Sequence, residues 1–206
     1  YYSALKTVLK AAAARGWQLD LTHLSGWPAG GPQVNLDDSI GNLVYAETHV
    51  TGPGKLSIDL PEPRPGASDY IFAAAEIFMG DFINFPADHA RLLSVIATKT
   101  IGDEHSGNPF DLGDTVTLNP TSVQVLTSSV DAGVLNWNAP AGDWLIIASY
   151  IMPSGEVPIN AAQKPRGFVV DPLRRPQVTG HYEYAYGART GLPGEYGAGL
   201  RGFFND

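Results

Sequence analysis

Two aspartates stand out as groups that could do chemistry. Asp171 follows the strand-like run at 167–170, and Asp206 follows "GLRGFF". Both read as strand ends, which is where α/β proteins carry their reacting groups. A pair of carboxylates can break a glycosidic bond: one protonates the leaving oxygen while the other activates water or attacks. Asp20, within "LDLT", and the adjacent Asp37 and Asp38 are further candidates. The competing reading for each is a cap or turn aspartate bonded to its own backbone.

A second feature is the loop "SGWPAGGPQV" at 25–34. Gly30 and Gly31 let backbone come close to a ligand, and two prolines stiffen the turn. The indole of Trp27 offers a flat apolar face of the kind that packs on the C–H groups of a sugar ring. A rigid turn with Trp27 tucked into the core is the alternative. The glycine spacing is not that of a dinucleotide fingerprint. Among the five histidines there is no tight zinc spacing. His23, ending the first strand, and His181, before "YEYAYG", are the two nearest to candidate chemistry. Asp103, Glu104, His105, Asp111 and Asp114 could hold a calcium ion through oxygen, or simply form a solvated acidic loop. No serine lies in a G-x-S-x-G elbow, and with no cysteine present thiol catalysis and disulfides are excluded.

Several elements must position these groups. Residues 1–15 predict a helix: Leu5, Val8, Leu9 and Ala12 share a face, and Gly16 is a natural stop. "WQLDLTHL" alternates, with Trp17, Leu19 and Leu21 on one side. Helix, glycine, strand and glycine-rich loop make one step of an α/β fold. Asn35 or Asp37 could cap a short helix containing Ile40, Leu43 and Val44. From about residue 48 the texture changes to short strands separated by Gly, Pro, Asn and Asp, the pattern of an antiparallel sandwich. These strands are expected near 52–60, 69–78, 90–102, 114–120, 122–129 and 133–152. Within the last, "LNWNAPAGDWLIIASY" predicts a hairpin turning at 140–143, with Trp137 and Trp144 beside the turn. After residue 152 a buried strand, a proline-bearing helix start and a final strand, "GLRGFF", follow. The expected fold class is α/β plus all-β. Partial (β/α)-barrel elements at 1–47 and 151–206 are interrupted by an inserted antiparallel β-sandwich at 48–150.

The bulk properties narrow the partners. The chain has 206 residues, 23 of them glycine and 16 proline, so turns and strands are favoured over a helical bundle. A net charge of −8 argues against a nucleic-acid partner. No apolar run is long enough to span a bilayer as a helix. The chain opens inside a predicted helix and closes at "GFFND", so both ends read as cuts through a longer protein.

Four segments, in order, resemble the α-L-rhamnosidases of glycoside hydrolase family 106: "AAARGWQLDLTHLSGWPAGGPQV", "LNWNAPAGDWLIIASYIMPSGEVPINAA", "GFVVDPLRRPQVTGHYEYAYG" and "LRGFFND". The resemblance implies a (β/α)-barrel broken by a β-sandwich. It implies inverting cleavage of terminal α-L-rhamnose, a calcium ion aiding sugar binding, and a secreted or periplasmic parent protein. Carried onto this sequence, Trp27, Gly30 and Gly31 would shape the sugar pocket, and His23 at the end of the first strand is taken with them as a substrate-binding candidate. Asp171 and His181 would lie near strand ends, and Asp206 would open the acidic segment. The catalytic acid is expected just beyond Asp206. A non-catalytic sugar-binding sandwich, with Trp137 and Trp144 as its platform, is the alternative, and a purely structural segment is a third.

Overall fold

The computed structural model describes residues 1–22, 28–63, 87–104, 115–158 and 167–204. The described residues of 1–40 and 154–206 form one compact unit, and those of 41–153 form another.

In the first unit, helix α1 (Tyr2–Ala13) ends as its sequence predicts. Gly16 takes a left-handed φ of 71°, and the Trp17 amide returns to the Ala12 carbonyl at 2.9 Å. Strand β1 (Leu19–Thr22) follows and pairs in parallel with the last strand of the chain, Leu200–Phe204. Leu19 and Leu21 pack on a core of Leu9, Ala185, Tyr186, Leu192 and Leu200. Trp17 departs from the predicted inward face and is 64% exposed, because it lies before the pairing begins. The two-residue strand β2 (Gly30–Gly31) pairs antiparallel with Phe168–Val169. The predicted helix at 35–44 is a single 3₁₀ turn, Leu36–Asp38, whose Asp38 amide is capped by Asn35 Oδ1 at 3.0 Å.

The second unit starts where that helix was expected to continue. Strand β3 (Gly41–Asp59) takes over because Val44, Ala46, Thr48 and Val50 alternate inward with period two. Strands β4 (Arg91–Thr98), β5 (Thr100–Glu104) and β6 (Thr115–Leu118) follow, with β5 and β6 pairing antiparallel with each other. The predicted strand at 122–129 shrinks to the two-residue β7 (Gln124–Val125) between 3₁₀ turns, one of them opened by Pro120 and capped by Asn119. Strand β8 (Val130–Asp131) leads into β9 (Val134–Pro153). The described strands form a five-stranded antiparallel sheet in the order β3-β9-β4-β7, with β8 also on β9. The strand expected at 69–78 lies outside the described residues.

No hairpin forms at 135–150. β9 runs on as one strand of 20 residues along β3. The register explains why. Gly52 pairs with Gly142 and Gly54 with Ala139, so β9 advances three residues where β3 advances two. The segment read as a turn is a bulge with one extra residue. Gly142 supports it with a φ of 117°. Trp137 and Trp144 are seven apart and would face opposite ways on a regular strand; the extra residue returns both to the core face.

The chain closes with β10 (Phe168–Val169), α2 (Arg175–Tyr186) and β11 (Leu200–Phe204). Both α2 and β11 lie where the sequence predicts them. The described residues are therefore mainly β, with several antiparallel ladders and the parallel β1–β11 pair. Among the described residues no barrel closes.

Candidate functional site

Gly31, Pro32, Gln33 and Val34 form a tight turn, closed by the Val34 amide on the Gly31 carbonyl at 2.9 Å. That turn delivers Gln33 to helix α2. Gln33 Nε2 lies 2.7 Å from His181 Nδ1, and His181 is buried. With the amide so oriented, its NH₂ donates and Nδ1 accepts. One helical turn earlier, Gln177 Nε2 donates to Asp38 Oδ1 at 3.0 Å. Asn35 Nδ2 donates to the other oxygen of the same carboxylate at 2.6 Å. The Gln177 bond, with lesser help from Asn35 and Arg174, holds the Asp38 carboxyl below its ordinary range. These groups line a cleft of about 280 Å³, with Val34, Val170, Pro176, Gly180 and Tyr184 completing it.

Helix α2 carries this arrangement on one face. Gln177, His181 and Tyr184 recur at i, i+4 and i+7, while Ala185 and Tyr186 face the apolar core. The spacing of Gln177 and His181 was the signal for this constellation. Gln33 carried a weaker one, as the first polar residue after "GGP".

Of the residues predicted from sequence, His181 enters the cleft, and Asp38 enters with it. Gly30 and Gly31 stand one turn away, in β2. Gly30 is close chiefly to backbone, since a methyl there would overlap the Phe168 carbonyl and lie 2.9 Å from Val169 Cα, whereas a methyl on Gly31 would meet Gln33 Oε1 at 3.0 Å. Asp171 is a turn residue whose Oδ1 accepts from the Leu173 amide at 2.9 Å. Asp20 is held by Arg201 across the β1–β11 pair, and that hydrogen bond lowers its pKa. Asp37 offers its carbonyl to Arg174 at 3.0 Å. His23, Trp27 and Asp206 lie outside the described residues, as do His105, Asp111 and Asp114. Among the described residues no cluster of His, Asp or Glu suits a metal ion.

The two sheet tryptophans cannot form a sugar platform. Trp137 and Trp144 are 8% and 4% exposed and meet edge to face with centroids 5.3 Å apart. They are core residues of the sheet.

A "Putative beta-glucuronidase" from Formosa agariphila is 25% identical over 194 residues. The match covers 89% of this chain and 15% of that relative, so the chain spans a small part of the relative's length. No family model matches the chain, and no solved structure matches it. The similarity does not single out the rhamnosidase family.

One acidic group was not anticipated. Burial raises the carboxyl pKa of Glu156, whose backbone carbonyl accepts from Val169 at 2.9 Å. A carboxyl raised on folding contributes stability that is fully present below its unfolded value and is lost as pH rises through the folded one. Glu156→Gln lacks that loss. The variant will therefore melt higher than the parent at pH 7, and the gap will close as pH falls toward 4. A gap unchanged with pH would show that the carboxyl is not desolvated.

Proposed function

We propose that this chain is a portion of a glycoside hydrolase and that its α2 cleft helps to hold the sugar. The observation that carries the reading is the similarity along 89% of the chain to part of a protein named as a glycosidase. The cleft supports it, since amides, a carboxylate and a phenol suit sugar hydroxyls. For the finer assignment we take the ordered segments resembling α-L-rhamnosidases. The bond cleaved is then that of terminal α-L-rhamnose, by inverting general acid/base hydrolysis. In this reading, 1–47 and 151–206 belong to a barrel-type scaffold carrying an insertion at 48–150. His23, Trp27, Gly30, Gly31, Asp171 and Asp206 border the sugar site, and the acid follows Asp206. Calcium belongs to the reading only through the resemblance.

The test is turnover by the full-length protein on 4-nitrophenyl α-L-rhamnoside and 4-nitrophenyl β-D-glucuronide. Rhamnoside hydrolysis releasing the inverted anomer is expected. Hydrolysis of the glucuronide alone would overturn the sugar assignment. A folded protein that turns over neither would overturn the hydrolase reading.

A further inference from the structure

The outward face of the antiparallel sheet differs between its two halves. A sheet with one side on its core turns polar residues to water on the other. The half of the β3–β9 ladder beyond the bulge does so. Lys55 pairs with Asn138 and Ser57 with Asn136, and all four are exposed, alternating with the core residues Leu56, Leu135 and Trp137. The half before the bulge does not. There Leu43, Tyr45, Ile96, Val125, Ile147 and Ile151 share the outward face across β3, β9, β4 and β7. They alternate with Val44, Val95, Ala148 and Tyr150, which face the core. Leu43, Tyr45 and Val125 are 71%, 60% and 72% exposed, and the three isoleucines between them are half-buried. Strand propensity does not explain the contrast, since the same two long strands carry both halves. Apolar side chains joined across neighbouring strands mark a surface that another body covers.

Three observations say what that body is. The apolar rows begin two residues from both ends of the sheet unit: Leu43 follows Gly41, where the chain enters, and Ile151 precedes Pro153, where it leaves. A surface attached near those crossings is held close to the patch. The chain also spans only 15% of the length of its glycosidase relative, so a protein of that length carries most of its polypeptide outside residues 1–206. A surface on a short tether acts at an effective concentration on the order of millimolar, which favours it over a free second copy. Charge gives its character. Arg91 pairs with Ile151 at one corner of the patch, and Glu47 pairs with Ile147 at the opposite corner. No ion pair among the described residues holds either. A fitting surface is apolar in the middle, with a carboxylate for Arg91 and a cation for Glu47 at its rim.

We infer, resting on the reading of this chain as a portion of a longer protein, that this half of the sheet is an internal docking face. Its occupant is an apolar surface of the same polypeptide that lies outside residues 1–206.

The test uses the full-length protein and reads the face directly. Residues 1–206 contain no cysteine, so a thiol placed among them is identified by its peptide. Leu43→Cys is expected to react with a maleimide about tenfold more slowly than Ser57→Cys, the matched site on the polar half of the same strand. Replacing Tyr45 with p-benzoylphenylalanine keeps an aromatic ring at the patch. On irradiation it should cross-link to a peptide of the same molecule outside residues 1–206. Equal reaction at positions 43 and 57 would overturn the inference. A cross-link that doubles the molecular mass would also overturn it and assign the face to a second copy. A cross-link confined to residues 1–206 would overturn it too. Slow reaction at position 43 with the cross-link in place, in a protein that turns over neither glycoside, would remove the hydrolase reading and leave the docking face standing.

Discussion

Trp144→Ala will cost the antiparallel unit about 3–5 kcal/mol, read as a lower midpoint of denaturant unfolding. The indole is 4% exposed and meets Trp137 edge to face. Its Nε1–H donates to the Pro140 carbonyl at 3.0 Å, which ties the ring to the bulge that aims it. Lys99 Nζ sits 5.0 Å from the ring centre and approaches the Ala141 carbonyl at 3.4 Å. Truncation therefore opens a cavity, orphans a carbonyl and loosens the bulge together. Trp144→Phe keeps a ring and loses the N–H, so it should cost clearly less. A loss below about 1 kcal/mol for the alanine variant would contradict a core role. Reduced sugar affinity in a variant of undiminished stability would restore the platform reading that burial argues against.

The same tryptophans show what the sequence could and could not reveal. Two glycine- and proline-flanked strand halves looked like a hairpin, because turn chemistry is local and Pro140, Gly142 and Asp143 are turn residues. What decides between turn and bulge is the partner strand, 90 residues earlier, and nothing local records it. β3 departs from the expected helix for a related reason. Ile40, Leu43 and Val44 match a helical spacing, while Val44, Ala46, Thr48 and Val50 match a strand, and a 19-residue partner made the second pattern win. Elements whose signals are internal were legible: α1 with its Gly16 stop, and α2 with proline in its first turn. The candidate site was legible only in part. His181 and Asp38 were among the candidates, but the bonds that bring them into one cleft, Gln33 to His181 and Gln177 to Asp38, join the 31–38 segment to helix α2 only in the folded chain. Glutamine does not titrate, so only its i, i+4 spacing from His181 marks Gln177 in the sequence.

Gly30 carries the last prediction. The pair of glycines drew attention as a place where backbone could approach a ligand; in the fold Gly30 permits the approach of backbone from β10. A Cβ at Gly30 would overlap the Phe168 carbonyl and lie 2.9 Å from Val169 Cα. Backbone cannot swing aside as a side chain can, so the β2–β10 ladder must part. Val169 is also bonded on its other side: its amide donates to Glu156 and its carbonyl accepts from Ile40 at 3.0 Å. The strain therefore spreads to three segments, including the turn that holds Gln33 against His181. Gly30→Ala should cost about 3 kcal/mol, at the upper end for overpacking, and should weaken any ligand of the cleft. Gly180→Ala is the matched control, the same change in the same unit at a site with open space. It should leave stability unchanged or raise it by up to about 1 kcal/mol, since alanine favours the helix. Similar melting temperatures for the two variants would mean that contact with β10 does not dictate glycine at position 30.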